Sequence, residues 1–355
     1  MPSAAGRAYD VLMLGYFGFG NLGDELLASA SAGFLGECGV PAERVAILSN
    51  APAGSEARIG VSAFDRWRLA AVASAIRSSR SLLLAGGGLF QDSSSAKSAM
   101  YYWGVVRIAA ALSCPVWALG QSIGPLRCAV SSFFAKNALS CCRYLAVRDK
   151  PSFDIARGFG LFPDIMPDIV MGMRFPETGK SDGRRALINA RPETGEGAAV
   201  LARAALACSS VGFSLVGIAF SEEDVRALEA IRDEKSVPLG EICLVASAGD
   251  FADVAKCASV SIGMRLHFAI LSVKAGIMTS MWPYDPKVAA FADEWGLTLL
   301  NSDICEKNLS DFVIMTLLTN ARFQDKKKGV EFGPLVAEHF KKGLSLVLGG
   351  STRER

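Results

Sequence analysis

The stretch DVLMLGYFGFGNLGDE (Asp10–Glu25) decides how the fold is read. Its opening, Asp10–Gly15, is apolar at successive positions, the mark of a strand covered on both faces of a sheet. Four glycines follow closely (Gly15, Gly18, Gly20 and Gly23), letting the backbone turn sharply and approach a ligand. Asp24 and Glu25 then open a helical period that runs to Glu37, a place where carboxylates suit the helix macrodipole. Strand, glycine turn and helix make the unit from which parallel α/β sheets are built. The glycine spacing only approximates G-x-G-x-x-G, and the acidic pair would repel a dinucleotide pyrophosphate. A sugar hydroxyl beside Asp24 suits the turn better; a plain N-capped turn is the alternative reading.

The same rhythm repeats along the chain. Apolar runs at Val45–Leu48, Ser81–Ala85, Pro115–Leu119 and Tyr144–Val147 alternate with helical periods at Phe64–Ser79, Lys97–Ser113 and Ala129–Cys142. Phe175–Arg185 (FPETGKSDGRR) is polar, charged and rich in turn formers, and reads as a linker. After it come strands at Ala186–Asn189, Phe213–Ile218, Glu241–Leu244, Val260–Ile262 and Ile277–Ser280. Helices at Gly197–Ala207, Glu222–Asp233, Asp250–Cys257, Arg265–Ala275 and Pro286–Trp295 alternate with them. The expected architecture is two Rossmann-like parallel-sheet domains facing a cleft, residues 1–174 and 186–330, joined by a 175–185 linker. A helical tail over 331–355 follows the basic run Lys326–Lys328 and is expected to pack back on the first domain.

Composition narrows the function classes. At 355 residues and about 150 per domain, two domains are expected, and 51% hydrophobic residues suffice for a core in each. Thirty-seven basic against 35 acidic residues leave a formal charge of +2, which excludes the basic field that drives nucleic-acid binding. The apolar stretch Ala198–Phe220 is interrupted by Arg203, a Cys-Ser-Ser break and two glycines, and reads as a buried helix followed by a buried strand rather than a membrane span. Nine cysteines without C-x-x-C spacing predict a cytoplasmic protein with neither disulfide framework nor structural zinc. No cluster of metal-ligating residues is visible, and no cofactor is expected.

Four further segments carry chemistry. Ala85–Asp92 (AGGGLFQD) places Gly86, Gly87 and Gly88 directly after a strand, marking close backbone approach or a nest of N–H groups, with Ser93–Ser95 supplying hydroxyls behind it. Gly120–Leu126 (GQSIGPL) brings Gln121 and Ser122 to an equivalent position. Loops at the carboxyl ends of parallel strands form one rim, where open α/β sheets bind ligands. Gly263–Ile270 (GMRLHFAI) puts Arg265 and His267 in the first turn of a helix, whose N–H groups attract anions. Tyr284–Val288 (YDPKV) puts Lys287 at another helix start, unfavourable against the macrodipole unless it faces an anion. Arg148 ends a first-half strand and faces the expected cleft, with Asn21, Asp24 and the glycine run nearby. Of the two histidines, His339 sits on a polar surface helix and reads as a bystander.

Together GYFGFGNLGDE, LLLAGGGLFQD, ALGQSIGPL, AVRD, GMRLHFAI and YDPKV resemble the polysaccharide pyruvyl transferase family, most closely its CsaB-type bacterial branch. The resemblance spans both halves. It implies a GT-B-like fold and transfer of pyruvate from phosphoenolpyruvate to a pair of sugar hydroxyls, giving a ketal and phosphate. Arg148, Arg265 and Lys287 then supply cations for the donor's carboxylate and phosphate. His267 protonates the methylene carbon, and Asp24 orients or deprotonates the acceptor hydroxyl. The implied acceptor is N-acetylmannosamine on an undecaprenyl-linked cell-wall or surface-layer precursor, which brings transient contact with the inner membrane face. Two rivals stay open: a GT-B glycosyltransferase using a nucleotide sugar, and a non-catalytic module that binds an anionic metabolite.

Overall fold

A computed structural model describes residues 6–92, 96–178, 183–192, 196–302 and 331–349; Ser93–Ser95 and the basic run Lys326–Lys328 lie outside these. The chain falls into two compact units, the first taking residues up to Gly20, Asp24–Met173 and the chain from Glu331, the second Asn21–Gly23 and Arg174–Val330.

In the first unit the opening run becomes β1 (Tyr9–Leu14), whose Val11, Leu12, Met13 and Leu14 are fully buried. It is followed by β2 (Val45–Ser49), β3 (Ser62–Asp65), β4 (Ser79–Phe90), β5 (Val116–Ile123), β6 (Cys142–Val147) and β7 (Asp164–Ile165), in the sheet order β3-β2-β1-β4-β5-β6-β7 with every pair parallel. Helices α1 (Leu22–Glu37), α2 (Pro52–Ile59), α3 (Leu69–Arg77), α4 (Ala96–Ala111), α5 (Ala129–Leu139), α6 (Lys150–Gly158) and α7 (Ile169–Gly172) connect the strands. The order reverses at β1 and β4, the switch point beyond which such sheets bind ligands.

Two local readings change. The helix expected from Phe64 starts at Leu69, because Ser62–Asp65 pairs as an edge strand and the Asp65 carboxylate then accepts the Trp67 N–H (2.8 Å) in a turn. Half-buried throughout, β3 lacks the apolar run that betrays an inner strand. The triple glycine is not a loop either. β4 runs through Gly86–Gly88 to Phe90, with Gly86 (φ 72°) and Gly87 (φ 82°) in the left-handed region and the pairing with β5 slipping between Gly87 and Phe90. The glycines thus build a bulge at the end of a strand. A Cβ on Gly86 would sit 2.8 Å from Leu27 Cδ2.

The second unit repeats the plan. β8 (Arg185–Asn189), β9 (Ser214–Ala219), β10 (Leu239–Leu244), β11 (Ala258–Gly263), β12 (Met278–Met281) and β13 (Thr298–Leu299) stack in the order β10-β9-β8-β11-β12-β13, again parallel. They alternate with α8 (Gly197–Ser210), α9 (Glu222–Glu234), α10 (Ala248–Ala255), α11 (Leu266–Lys274) and α12 (Pro286–Trp295). The switch point lies between β8 and β11. The apolar stretch from Ala198 is α8 followed by β9, and no described helix is long and apolar enough to cross a membrane. Each unit has its own core: Leu12, Leu48, Leu84, Val106 and Ala118 in the first, Ile188, Val200, Leu215, Leu228 and Ile262 in the second.

The last helix, α13 (Phe332–Leu348), returns to the first unit. Val336, Phe340, Leu344 and Val347 recur at helical spacing and are buried, with the Phe340 ring 5.5 Å from Phe34 and 6.2 Å from Trp117. His339 is no bystander. Half-buried, it donates Nδ1–H to the Tyr144 hydroxyl (2.5 Å), which donates to Asp164 (2.8 Å), while Lys342 Nζ pairs with the same carboxylate (2.5 Å).

Candidate active site

At the first unit's rim, Glu25 is buried and its Oε1 accepts the Gly18 N–H at 2.8 Å, so this carboxylate fixes the glycine turn. Gly18 is required there: at φ 79° it is strained for other residues, and a Cβ would overlap Ser49 Oγ. Asp24, one position earlier, turns toward the bulge: its Oδ1 lies 3.6 Å from where a Gly87 Cβ would stand. Asp24 and the Gly86–Gly88 run are therefore brought together.

Gln121, Ser122 and Arg148 form a different, buried group. The Gln121 amide nitrogen donates to the carbonyls of Leu84 (3.0 Å), Leu119 (3.2 Å) and Gly86 (3.3 Å), tying β5 to the bulge from inside. Arg148 Nε donates to Ser122 Oγ (2.7 Å), which donates to Asp149 (2.6 Å), and Arg148 Nη1 pairs with Asp168 at 2.6 Å; both ion-pair side chains are 4% exposed. Asp168 and Asp149 also cap α7 and α6. The strand-end position of Arg148 suggested a rim cation, but its charge is already matched by a carboxylate 20 residues on.

In the second unit the residues of α11 and α12 converge with the end of β8. Arg265 lies at the N-cap of α11; its N–H donates to Asn189 Oδ1 (3.0 Å), and its guanidinium makes a bidentate pair with the fully buried Asp224 (2.5 Å to each oxygen). Lys287 answers its sequence puzzle locally. The anion it faces is Asp285, 3.1 Å from Nζ, whose other oxygen caps α12 through the Lys287 N–H (3.0 Å). The α12 N-terminus is thus satisfied from within the chain, whereas the Arg265 side chain at the start of α11 makes no such cap and turns to Asp224 instead.

His267 is half-buried in the first turn of α11. The short segment Asn21–Gly23 groups with this second unit rather than with Asp24 and the Gly86–Gly88 run. Leu22 N–H donates to the Phe220 carbonyl (3.0 Å), Asn21 Oδ1 accepts the Gly23 N–H (3.2 Å), and Gly23 lies close against the imidazole. A Cβ there would overlap Nδ1 and stand 2.8 Å from Cγ. One of the glycines read as approaching a ligand in fact approaches the histidine.

Sequence reading missed Arg191. It follows β8 at the switch point, its guanidinium 4.3 Å from the Tyr284 ring, and it has no carboxylate partner among the described residues. Its Nε is buried without a hydrogen bond. The only local signal is an arginine just past a strand, as at Arg148 and Arg265; its significance depends on β8 lying beside β11.

Two Rossmann-ordered parallel sheets, each with chemistry-bearing residues on the carboxyl rim at its switch point, make this an α/β protein of the GT-B type. Solved structures share that fold across nearly the whole chain. A putative UDP-N-acetylglucosamine 2-epimerase from Listeria monocytogenes superposes with a TM-score of 0.64 at 12% identity, covering 98% of each chain. UDP-GlcNAc 2-epimerase from Neisseria meningitidis gives 0.59 at 10% identity, over 95% of this chain and 99% of that one. Acinetobacter baumannii MurG gives 0.52 at 14%, over 96% and 100%. No curated protein sequence matches. The chain belongs to the polysaccharide pyruvyl transferase family, whose model matches residues 21–279. Membership implies a glycan acceptor.

Proposed function

We propose that the chain transfers pyruvate from phosphoenolpyruvate to two hydroxyls of a glycan as a ketal, releasing phosphate. The observation that carries this reading is the second unit's rim, where the imidazole of His267 shares one strand-end face with Arg191, Arg265 and Lys287. A small donor bearing both carboxylate and phosphate matches that set. Arg265 and Lys287 each hold a carboxylate already, so the charge that balances the donor comes from Arg191 and the positive end of the α11 dipole. Arg265, locked to Asp224, serves to fix α11 and with it the imidazole.

In the reaction His267 gives a proton to the methylene carbon, leaving oxocarbenium character at the central carbon. One acceptor hydroxyl adds there and returns its proton to the imidazole. The carbon–oxygen bond to phosphate then breaks, and the second hydroxyl closes the ketal, its proton leaving with the phosphate. Asp24, over the glycine bulge of the first unit, orients the attacking hydroxyl. Arg148 shapes the first unit's rim through its buried pair with Asp168. The resemblance to the CsaB-type branch makes N-acetylmannosamine on an undecaprenyl-linked precursor the acceptor we expect, reached at the inner membrane face. The test is to supply phosphoenolpyruvate or UDP-sugars together with a glycan acceptor, and to measure phosphate and UDP release. We expect acceptor-dependent phosphate release from phosphoenolpyruvate alone, abolished in His267→Gln while donor affinity is kept. UDP release, or a His267→Gln enzyme that still turns over, overturns the reading.

A further inference from the structure

The most exposed tryptophan of the first unit is also held rigidly. Trp67 is 60% exposed at the end of β3, on the rim that carries the glycine turn after β1. Its indole N–H donates to Asn50 Oδ1 (2.7 Å) and its backbone N–H to Asp65 Oδ1 (2.8 Å), so the ring is set before any partner arrives. Beside it, Phe19 packs edge-on (6.4 Å between centroids), and the 43%-exposed Tyr16 stacks on Phe19 at 3.9 Å and 7°. Beneath lies Arg66, 3% exposed, with its guanidinium 4.5–5.5 Å from the rings of Tyr101, Phe19, Trp67 and Tyr102.

Arg66 has no carboxylate partner among the described residues. It donates to the Gly15 carbonyl (2.7 Å) and the Tyr102 hydroxyl (3.2 Å), and its buried Nε makes no hydrogen bond. Burying a cation on those terms costs stability, and what it secures is an outward-facing set of rings pinned by cation–π contacts to the glycine turn.

We propose that the exposed faces of Trp67 and Tyr16, backed by Phe19, form a stacking subsite for a pyranose ring of the glycan acceptor. The C–H face of a sugar packs on an aromatic ring, while its equatorial hydroxyls find side-chain oxygens at the edge, here those of Asn50 and Asp65. Two ring faces, those of Trp67 and Tyr16, suit one or two sugar units and fall far short of the roughly 800 Å² that a protein partner covers. This subsite rests on the proposed transferase reading for its biological role, but not for its binding chemistry.

The test follows saturation transfer by NMR from the full-length protein to methyl β-N-acetylmannosaminide and methyl β-galactoside. A parallel measurement uses vesicles of equal parts phosphatidylglycerol and phosphatidylcholine. We expect transfer to the ring C–H protons, binding weakened about tenfold in Trp67→Ala and partly restored in Trp67→Phe, with phosphoenolpyruvate affinity unmoved. Tyr16→Ala, read with the same probes and an unchanged melting curve, covers the case in which Trp67→Ala folds poorly. The subsite is overturned if neither glycoside binds the native protein, if both variants bind glycosides as the native protein does, or if Trp67→Ala loses vesicles but not sugars. Loss of sugar binding in Trp67→Ala, in a protein that releases no phosphate from phosphoenolpyruvate, keeps the subsite and sinks the transferase reading instead.

Discussion

Gly23 and His267 lie 244 positions apart in the chain, yet the imidazole has room only because position 23 lacks a side chain. Gly23→Ala is expected to push the ring aside and to lower kcat by about a hundredfold, the scale of an ångström's misplacement, with donor affinity little changed. Steady-state kinetics beside a donor titration check this. The two arginines of the second rim are expected to separate cleanly. Arg191→Met removes the cation that has no carboxylate partner among the described residues and is predicted to raise the KM for phosphoenolpyruvate by about tenfold or more while leaving the melting temperature alone. Arg265→Met strands the fully buried Asp224 and is predicted to cost about 3–5 kcal/mol, read by denaturant unfolding. If Arg265→Met stays stable and only donor binding suffers, the anchoring role is wrong.

At the scale of elements, α13 shows how position sets the sign of a substitution. Gly343 sits inside a helix, where alanine ordinarily gains about 0.5–1 kcal/mol. Here a Cβ would overlap the Trp117 ring and stand 3.2 Å from Tyr144 Cδ1, so Gly343→Ala is expected to destabilise by about 1–3 kcal/mol in thermal unfolding. The same helix carries a pH dependence. Burial holds the His339 imidazole below its ordinary value of 6.5, against the pull of Asp164 and Glu338, with Lys342 adding to the depression. The unfolded chain takes up that proton more readily. This contribution to docking is therefore complete above about pH 6.5 and declines as the pH falls below it. The Asp164 carboxyl runs counter to its own burial: hydrogen bonds from Lys342 and Tyr144 hold it below the usual 3.8, so its contribution survives until more acid conditions. The protection factors of the α13 amides, taken relative to intrinsic exchange at each pH, should fall on mild acidification in the native protein, and His339→Gln should flatten that response.

For the whole molecule, two sheets with separate cores imply two unfolding events. Calorimetry is expected to resolve two transitions. Phosphoenolpyruvate at about a hundredfold over its Kd should add about 2.7 kcal/mol to one of them, the unit that contains His267. A donor that stabilises both transitions equally would contradict its assignment to the second unit. Removing the chain from Glu331 should lower only the first unit's transition, because α13 fills that unit's sheet with Val336, Phe340 and Val347.

Strands buried on both faces, such as Val11–Leu14, and helices opened by turn residues, such as α12 at Asp285, were legible in the sequence because periodicity and capping act over a few neighbouring residues. The motifs that carry the family likeness were legible for the same reason. The edge strand β3 and the bulge at Gly86–Gly88 were not, since an exposed edge has no apolar run and a bulge is defined by its partner strand. Ion pairing lay still further out of reach. That Arg148 answers Asp168, that Arg265 answers Asp224, and that Arg191 and Arg66 answer no carboxylate among the described residues follows from strand order and packing between distant segments. The sequence by itself determined which chemical groups stand at the strand ends; the tertiary structure alone decided which of those charges neutralise one another, because charge balance is a property of neighbours in space.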